Sequence, residues 1–253
     1  MRIYVQSRGK PQDKDYTWLK AEKNRLYREI PPILKRISIA EFIDSRKYSI
    51  VVARNDTELV FLVTGLFSER NDFMNRQIRN SVACVVHDNL ENESIIRSLA
   101  VLALENKEKL EKEVNEAVYE TEPDSEYEFN FDVKKISQLS ESIQLKSDSN
   151  PKESNYIGSD SKKLQKDVGL KLKNNHLPER NDILVLLTTL KTESALKKHN
   201  IWLGLSAKVP YNELTPVSSN SQKQLPEKKT LAVVTAVVIA VVMILIVIKL
   251  VLI

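Results

Sequence analysis

Short apolar stretches broken by turn residues mark strands along much of this chain, and one far longer apolar stretch closes it. Ile3 and Val5 alternate with polar neighbours over Arg2 to Gln6, the period of two that sets one strand face on a core. Two β-rich runs, Ser49 to Arg54 and Glu58 to Thr64, flank Asn55-Asp56, so they predict a hairpin. Arg79 to His87 predicts a further strand. Ile95, Leu99, Leu102, Ala103, Leu110, Val114 and Ala117 recur at helical spacing. They predict one long helix, capped by Asp88 or Asn92 and running to about Glu120. Ser38 and Glu41 have the spacing of a capping box ahead of a short helix, Ile39 to Arg46. Tyr127 to Val133 alternates aromatic and acidic residues as a half-exposed strand would. Asp182 to Thr189, Thr192 to His199 and Ile201 to Val209 then read as strand, helix and strand.

Those last three elements are too few to bury a core of their own, so they are expected to complete the sheet of the first part. The fold class is therefore α+β: a mixed sheet with a hairpin and one long helix, a disordered insertion and a single C-terminal transmembrane helix. Residues 1–136 form the first part of the domain and 181–210 complete it, with a separate second domain as the alternative. Residues 137–180 turn to Ser, Asn, Lys and Asp, a composition that offsets little ordering entropy and reads as a disordered linker or insertion. Residues 211–229, with Pro216, Pro226 and a Ser-rich run, read as a flexible tether.

Residues 230–253 contain only Thr230, Thr235 and Lys249 besides apolar side chains. As a helix this segment would be about 36 Å long, enough to cross a hydrocarbon core of about 30 Å. Lys223, Lys228 and Lys229 precede it, and positive flanks stay on the cytoplasmic side. The start of the chain lacks the continuous apolar region of a secretory signal. The expectation is a tail-anchored, single-pass membrane protein with its N-terminal domain in the cytoplasm, by default at a bacterial inner membrane. Ala232, Ala236 and Ala240 recur every fourth residue and form a small-residue face on which a second helix could pack.

Composition narrows the classes further. The 253 residues are 42% apolar and 28% charged with 5 Gly and 1 Cys, which excludes collagen-like and disulfide-built folds. The lone Cys84 sits in an apolar run and reads as a buried, inert thiol. Net charge is +4, one unit of it from Lys249, and the remainder is spread over segments of opposite sign. Nucleic acid is therefore not an expected partner. The lysines at 162, 163, 166, 171 and 173 interleave with Leu164, Val168, Leu170 and Leu172, a pattern suited to a weak membrane-surface contact or to a solvated linker.

Candidate chemistry is sparse. The chain has no phosphate loop, GxSxG elbow, HExxH or CxxC, and His87, His176 and His199 are far apart in sequence. No catalytic residue, metal site or cofactor is predicted. The strongest polar cluster is Ser68 to Asn80, where Arg70, Arg76 and Arg79 with Asp72 could form an anion pocket, unless these arginines only pair with their own acids. His87 beside Asp88 is a weaker addition. The expected function is a binding, sensing or recruitment module at the bilayer, with a protein partner and, through the alanine face, a homo-oligomer. One alternative is a membrane effector that oligomerises through its transmembrane helix and perturbs the bilayer. The other is a membrane-tethered hydrolase or nuclease built on His87, Asp72 and the arginines.

Overall fold

A computed structural model describes residues 1–217, except 13–14, 23–24, 37–38, 123–124, 146–148 and 150–153. The expected transmembrane helix, its alanine face and the greater part of the tether, from 218 onward, lie outside the described residues.

The chain opens with three antiparallel strands, β1 (Arg2–Ser7), β2 (Thr17–Glu22) and β3 (Arg25–Arg28), then a short helix α1 (Pro32–Arg36) and a 3-10 turn at Ile39–Glu41. That turn stands where an eight-residue helix is expected, and Ser38, its expected cap, is outside the described residues. The hairpin follows as β4 (Ser49–Asn55) and β5 (Glu58–Asn71), with Asp56 at φ 44 in the tight turn. β6 (Gln77–His87) comes next. Helices α2 (Leu90–Glu105) and α3 (Lys107–Ala117) lead to a small hairpin of β7 (Val118–Glu120) and β8 (Phe129–Phe131), then α4 (Val133–Gln138). The chain closes its domain with β9 (Tyr156–Ser159), α5 (Lys162–Asn174), β10 (Asp182–Thr188), α6 (Glu193–Lys198), β11 (Leu203–Ser206) and β12 (Thr215–Pro216).

Ten of these strands form one mixed sheet in the order β12-β9-β11-β10-β4-β5-β6-β1-β2-β3. β9, β11 and β10 are mutually parallel and the remaining pairings are antiparallel. The expected union of the last strands with the first part is present, since β10 pairs with β4 from Asp182↔Arg54 to Leu187↔Ile50.

The central strands are apolar on both faces because both faces are covered. Ile50, Val52, Phe61, Val63, Val82 and Cys84 meet α2, α3 and α5 on one side. Val51, Ala53, Val60, Leu62, Ala83 and Val85 meet Phe42, Ile39 and α6 on the other. At Gly65 the pairing slips, with φ +70 and no room for a side chain, because a Cβ there would lie 2.2 Å from the backbone of Lys47.

Three expectations change. The single long helix is two: Asn89, not Asp88 or Asn92, caps α2, and Asn106 (φ −143, ψ 64) ends it and caps α3 by accepting from the Lys109 N–H. An Asn side chain competes with the helical backbone and suits a boundary. The stretch 137–180 is not wholly a disordered insertion. It holds the end of α4, a 3-10 turn at Leu139–Ser142, the sheet strand β9 and the 13-residue helix α5, capped by Ser161, whose Leu164, Val168 and Leu172 are fully buried against α2. One face of three apolar residues is enough to dock a helix onto an existing core, whatever the five lysines on its other sides. The tether begins later than 211, because Tyr211 donates to Glu193 and Thr215–Pro216 pairs with β9.

Candidate functional site

The sheet carries a charged cluster at each end. At one end β5 turns into β6 around Asp72. Its Oδ1 accepts the N–H groups of Met74 and Arg76, both at 2.9 Å, while the Asn75 N–H donates to its carbonyl and Asn75 takes φ 58. An Asp that caps its own turn in this way needs only the short polar side chain and a following left-handed residue. Asp72 Oδ2 takes Arg76 Nε at 2.9 Å and Arg8 Nη1 at 3.3 Å. Burial alone would push this carboxyl up. The Arg76 N–H and guanidinium and the Met74 N–H outweigh it and hold the group below the ordinary carboxylate range.

Arg70 and Arg79 are differently placed. Arg70 Nη2 donates to Ser7 Oγ at 2.6 Å and Nη1 reaches the Arg8 carbonyl at 3.5 Å, but its buried Nε has no hydrogen-bond partner. The Arg79 guanidinium lies over the Phe67 ring, 3.3 Å from its centroid, and its backbone N–H donates to the Tyr16 hydroxyl. Desolvation pulls both guanidiniums below the usual arginine range. Among the described residues neither has a carboxylate within ion-pair distance. Arg8 lies over both the Tyr16 and the Phe73 ring, 5.8 Å from each ring centre. A shared hydrogen-bond chain fixes the floor: Ser7 Oγ donates to Asn80 Oδ1 (2.7 Å), Asn80 Nδ2 to Asn115 Oδ1 (3.4 Å) and Asn115 Nδ2 to the Phe67 carbonyl (2.9 Å).

Four expected site residues, Arg70, Asp72, Arg76 and Arg79, are thus brought together, and Arg8 joins them. Arg76 does pair with its own acid, whereas Arg70 and Arg79 do not. His87 is not among them. It ends β6 opposite Glu58, with Nδ1 3.1 Å from the Asp88 carbonyl, and ten residues of strand put it about 33 Å from Gln77. A hydrolytic centre of His87 with Asp72 is therefore not assembled.

The second cluster escaped the sequence. At the opposite end Arg54 is buried with Nε 2.8 Å from Asp88, Nη2 3.1 Å from Glu93, and Nη1 donating to the Pro178 carbonyl. Glu93 is buried too. Its Oε1 meets His176 Nδ1 and the Leu177 N–H, both at 2.9 Å, and Arg97 at 3.7 Å. Arg97, 1% exposed, donates to the Leu172 and Lys173 carbonyls at the end of α5. These groups back an open cleft of about 1080 Å³. The network ties β4, α2, α5 and the 176–178 segment together, and every Glu93 oxygen is engaged. It therefore reads as a structural staple. The available signals were Arg54 ending an apolar run and Glu93 and Arg97 one turn apart on the buried side of α2. Among the described residues no three His, Cys, Asp or Glu side chains cluster as a metal site.

Comparison with protein families, with curated proteins and with solved structures finds no match to this chain.

Proposed function

We propose that this chain is a single-pass membrane-anchored binding module whose α+β domain holds an anionic group at the β5–β6 end of its sheet. The observation that carries the binding reading is the buried Arg70 Nε without a hydrogen-bond partner, next to Arg79, neither guanidinium having a carboxylate within ion-pair distance among the described residues and Asp72 being already engaged by Arg8 and Arg76. Glu120 and Glu111 act on the two only from farther off. Leaving a buried guanidinium donor unmade is costly, and an incoming phosphate or carboxylate supplies the acceptors and the charge. The anchor rests on Leu231 to Ile248, where Thr235 is the one polar residue in 18. Such a module recruits or senses at the bilayer and carries out no chemistry of its own.

Two measurements test this. Full-length protein in detergent is titrated calorimetrically with inorganic tripolyphosphate, beside Arg70→Ala and Arg79→Ala. Binding that weakens at least tenfold in each variant is expected, and equal binding by all three removes the site. Carbonate extraction of membranes is then run on the full chain and on a version ending at Glu227. The full chain is expected in the pellet and the shortened one in the supernatant, and a soluble full chain removes the anchor.

A further inference from the structure

The geometry points to an anionic lipid surface as the occupant of the β5–β6 end, with the Phe73-Met74 turn entering the headgroup layer and the surrounding arginines meeting lipid phosphates. This inference rests on the anion-binding reading above and names its ligand.

Three features of the turn carry it. Phe73 and Met74 are 43% and 59% exposed in the turn, with Tyr16 and Phe67 partly exposed as well. An apolar tip that the fold leaves in water is the part of an interfacial contact that sinks to the acyl boundary. Around it stand Arg8, Arg70, Arg76 and Arg79, and the one carboxylate within ion-pair distance of them among the described residues, Asp72, is buried beneath Arg76 and Arg8. Glu69, Glu111 and Glu120 also lie in this region, Glu120 and Glu111 acting on Arg70 and Arg79 from beyond ion-pair distance, so the contact with anionic headgroups is carried by the arginine donors that no acid engages directly. The frame is also stiff. Asp72 closes the turn through four hydrogen bonds, and the Phe73 N–H donates to the Lys10 carbonyl, which binds the tip to the loop after β1. Little conformational freedom is then lost on contact.

A single nucleic-acid strand is the rival for a basic, aromatic surface. It needs free ring faces on which bases stack, whereas Arg79 covers Phe67 and Arg8 lies over the Tyr16 and Phe73 rings.

The test uses full-length protein carrying Met74→Cys, labelled there with an environment-sensitive nitrobenzoxadiazole, since Cys84 is buried. The protein is reconstituted into vesicles of phosphatidylcholine alone or with three parts in ten phosphatidylserine. A blue shift and at least a twofold gain in emission only with phosphatidylserine are expected. Both should be lost in Lys10→Glu with Arg79→Glu, and in 1 M salt. The same emission in both vesicle types overturns the lipid assignment. In that event, tripolyphosphate binding that still depends on Arg70 and Arg79 leaves the anion site standing with a soluble ligand. Its absence removes both readings. A surface-exposed control, Phe73→Ser with Met74→Ser, should keep tripolyphosphate binding and lose vesicle-dependent protection of the turn from protease. Stronger shift with a 20-nucleotide single strand than with anionic vesicles overturns the assignment in favour of nucleic acid.

Discussion

Two buried carboxylates, Asp72 and Glu93, do opposite jobs at opposite ends of the sheet. Asp72 closes a turn and leaves Arg70 and Arg79 without an ion-pair partner among the described residues, while Glu93 is compensated from four directions. Removing one member of a buried charge network strands the others in low dielectric, at about 3–5 kcal/mol. Glu93→Ala is therefore expected to lower unfolding free energy by that order in urea titration, with Arg54→Met together with Glu93→Leu recovering a good part of the loss. A change under about 1 kcal/mol would show that water reaches the network. Cys84 supplies a second residue-level expectation. Its thiol is fully buried, and burial pushes it up to about 12 from an ordinary value of 9.0. The fold thus holds the protonated form, so its contribution to stability is complete below pH 9 and is lost as pH rises from there towards 12. Native protein should resist iodoacetamide at pH 9 and react fully in urea, and Cys84→Ala should flatten the alkaline decline in stability.

Elements were legible where one physical signal dominated. The hairpin of β4 and β5, strand β6 and strand β10 follow from apolar runs bounded by turn residues, and their two-sided burial explains why the runs are continuous. Helix α5 was hidden because composition and periodicity disagree there. Lys162, Lys163, Lys166, Lys171 and Lys173 make the stretch look solvated, and the stripe of Leu164, Val168 and Leu172 is only three residues wide. The stripe matters because α2 is already in place to receive it. Strands β2 and β3 were missed for a related reason: Leu19 is the one fully buried residue of Thr17–Glu22, and Arg25–Arg28 is an edge with no buried position, so neither shows an alternation to read. The site was half legible, since Arg70, Asp72, Arg76 and Arg79 lie within one turn, whereas Arg8 arrives from β1 by pairing that sequence spacing does not reveal. The contact of α5 with α2 is close enough to test. A Cβ on Gly169 would lie 2.4 Å from Glu105 Oε1, the carboxylate that Lys173 meets at 2.6 Å. Gly169→Val is expected to push the helices apart at a cost of about 1–3 kcal/mol, read as a lowered thermal midpoint. Gly169→Ala with Glu105→Ala should be much milder.

At the scale of the domain, the pairing of β10 with β4 joins strands from before and after the 137–180 stretch in one ten-stranded sheet, so those parts stand or fall together. Their cooperative unfolding follows from shared cores: Leu187 lies in one with Phe61, and Leu186 lies in the other with Val60. Leu186→Ala, in the last third of the chain, should lower the stability of the first strands as well, by about 2–5 kcal/mol. Amide exchange in β4 and β5 should accelerate as much as in β10. Protection that stays high in β4 and β5 while β10 opens would show two cooperative units. The membrane segment proposed for 230–253 follows a different rule, because retention of such a segment depends on summed apolar transfer and not on packing. A charge near the centre of a spanning helix costs about 2.5–3.5 kcal/mol, so Val238→Asp with Ile244→Asp should release full-length protein into the soluble fraction. Replacing Ala232, Ala236 and Ala240 with leucine keeps the segment apolar while filling its small-residue face. Membrane retention and tripolyphosphate binding should both survive that change if the segment is an anchor. A fall in particle mass by cross-linking, together with lost vesicle permeabilisation, would instead make helix association the working step and the sheet domain its regulator.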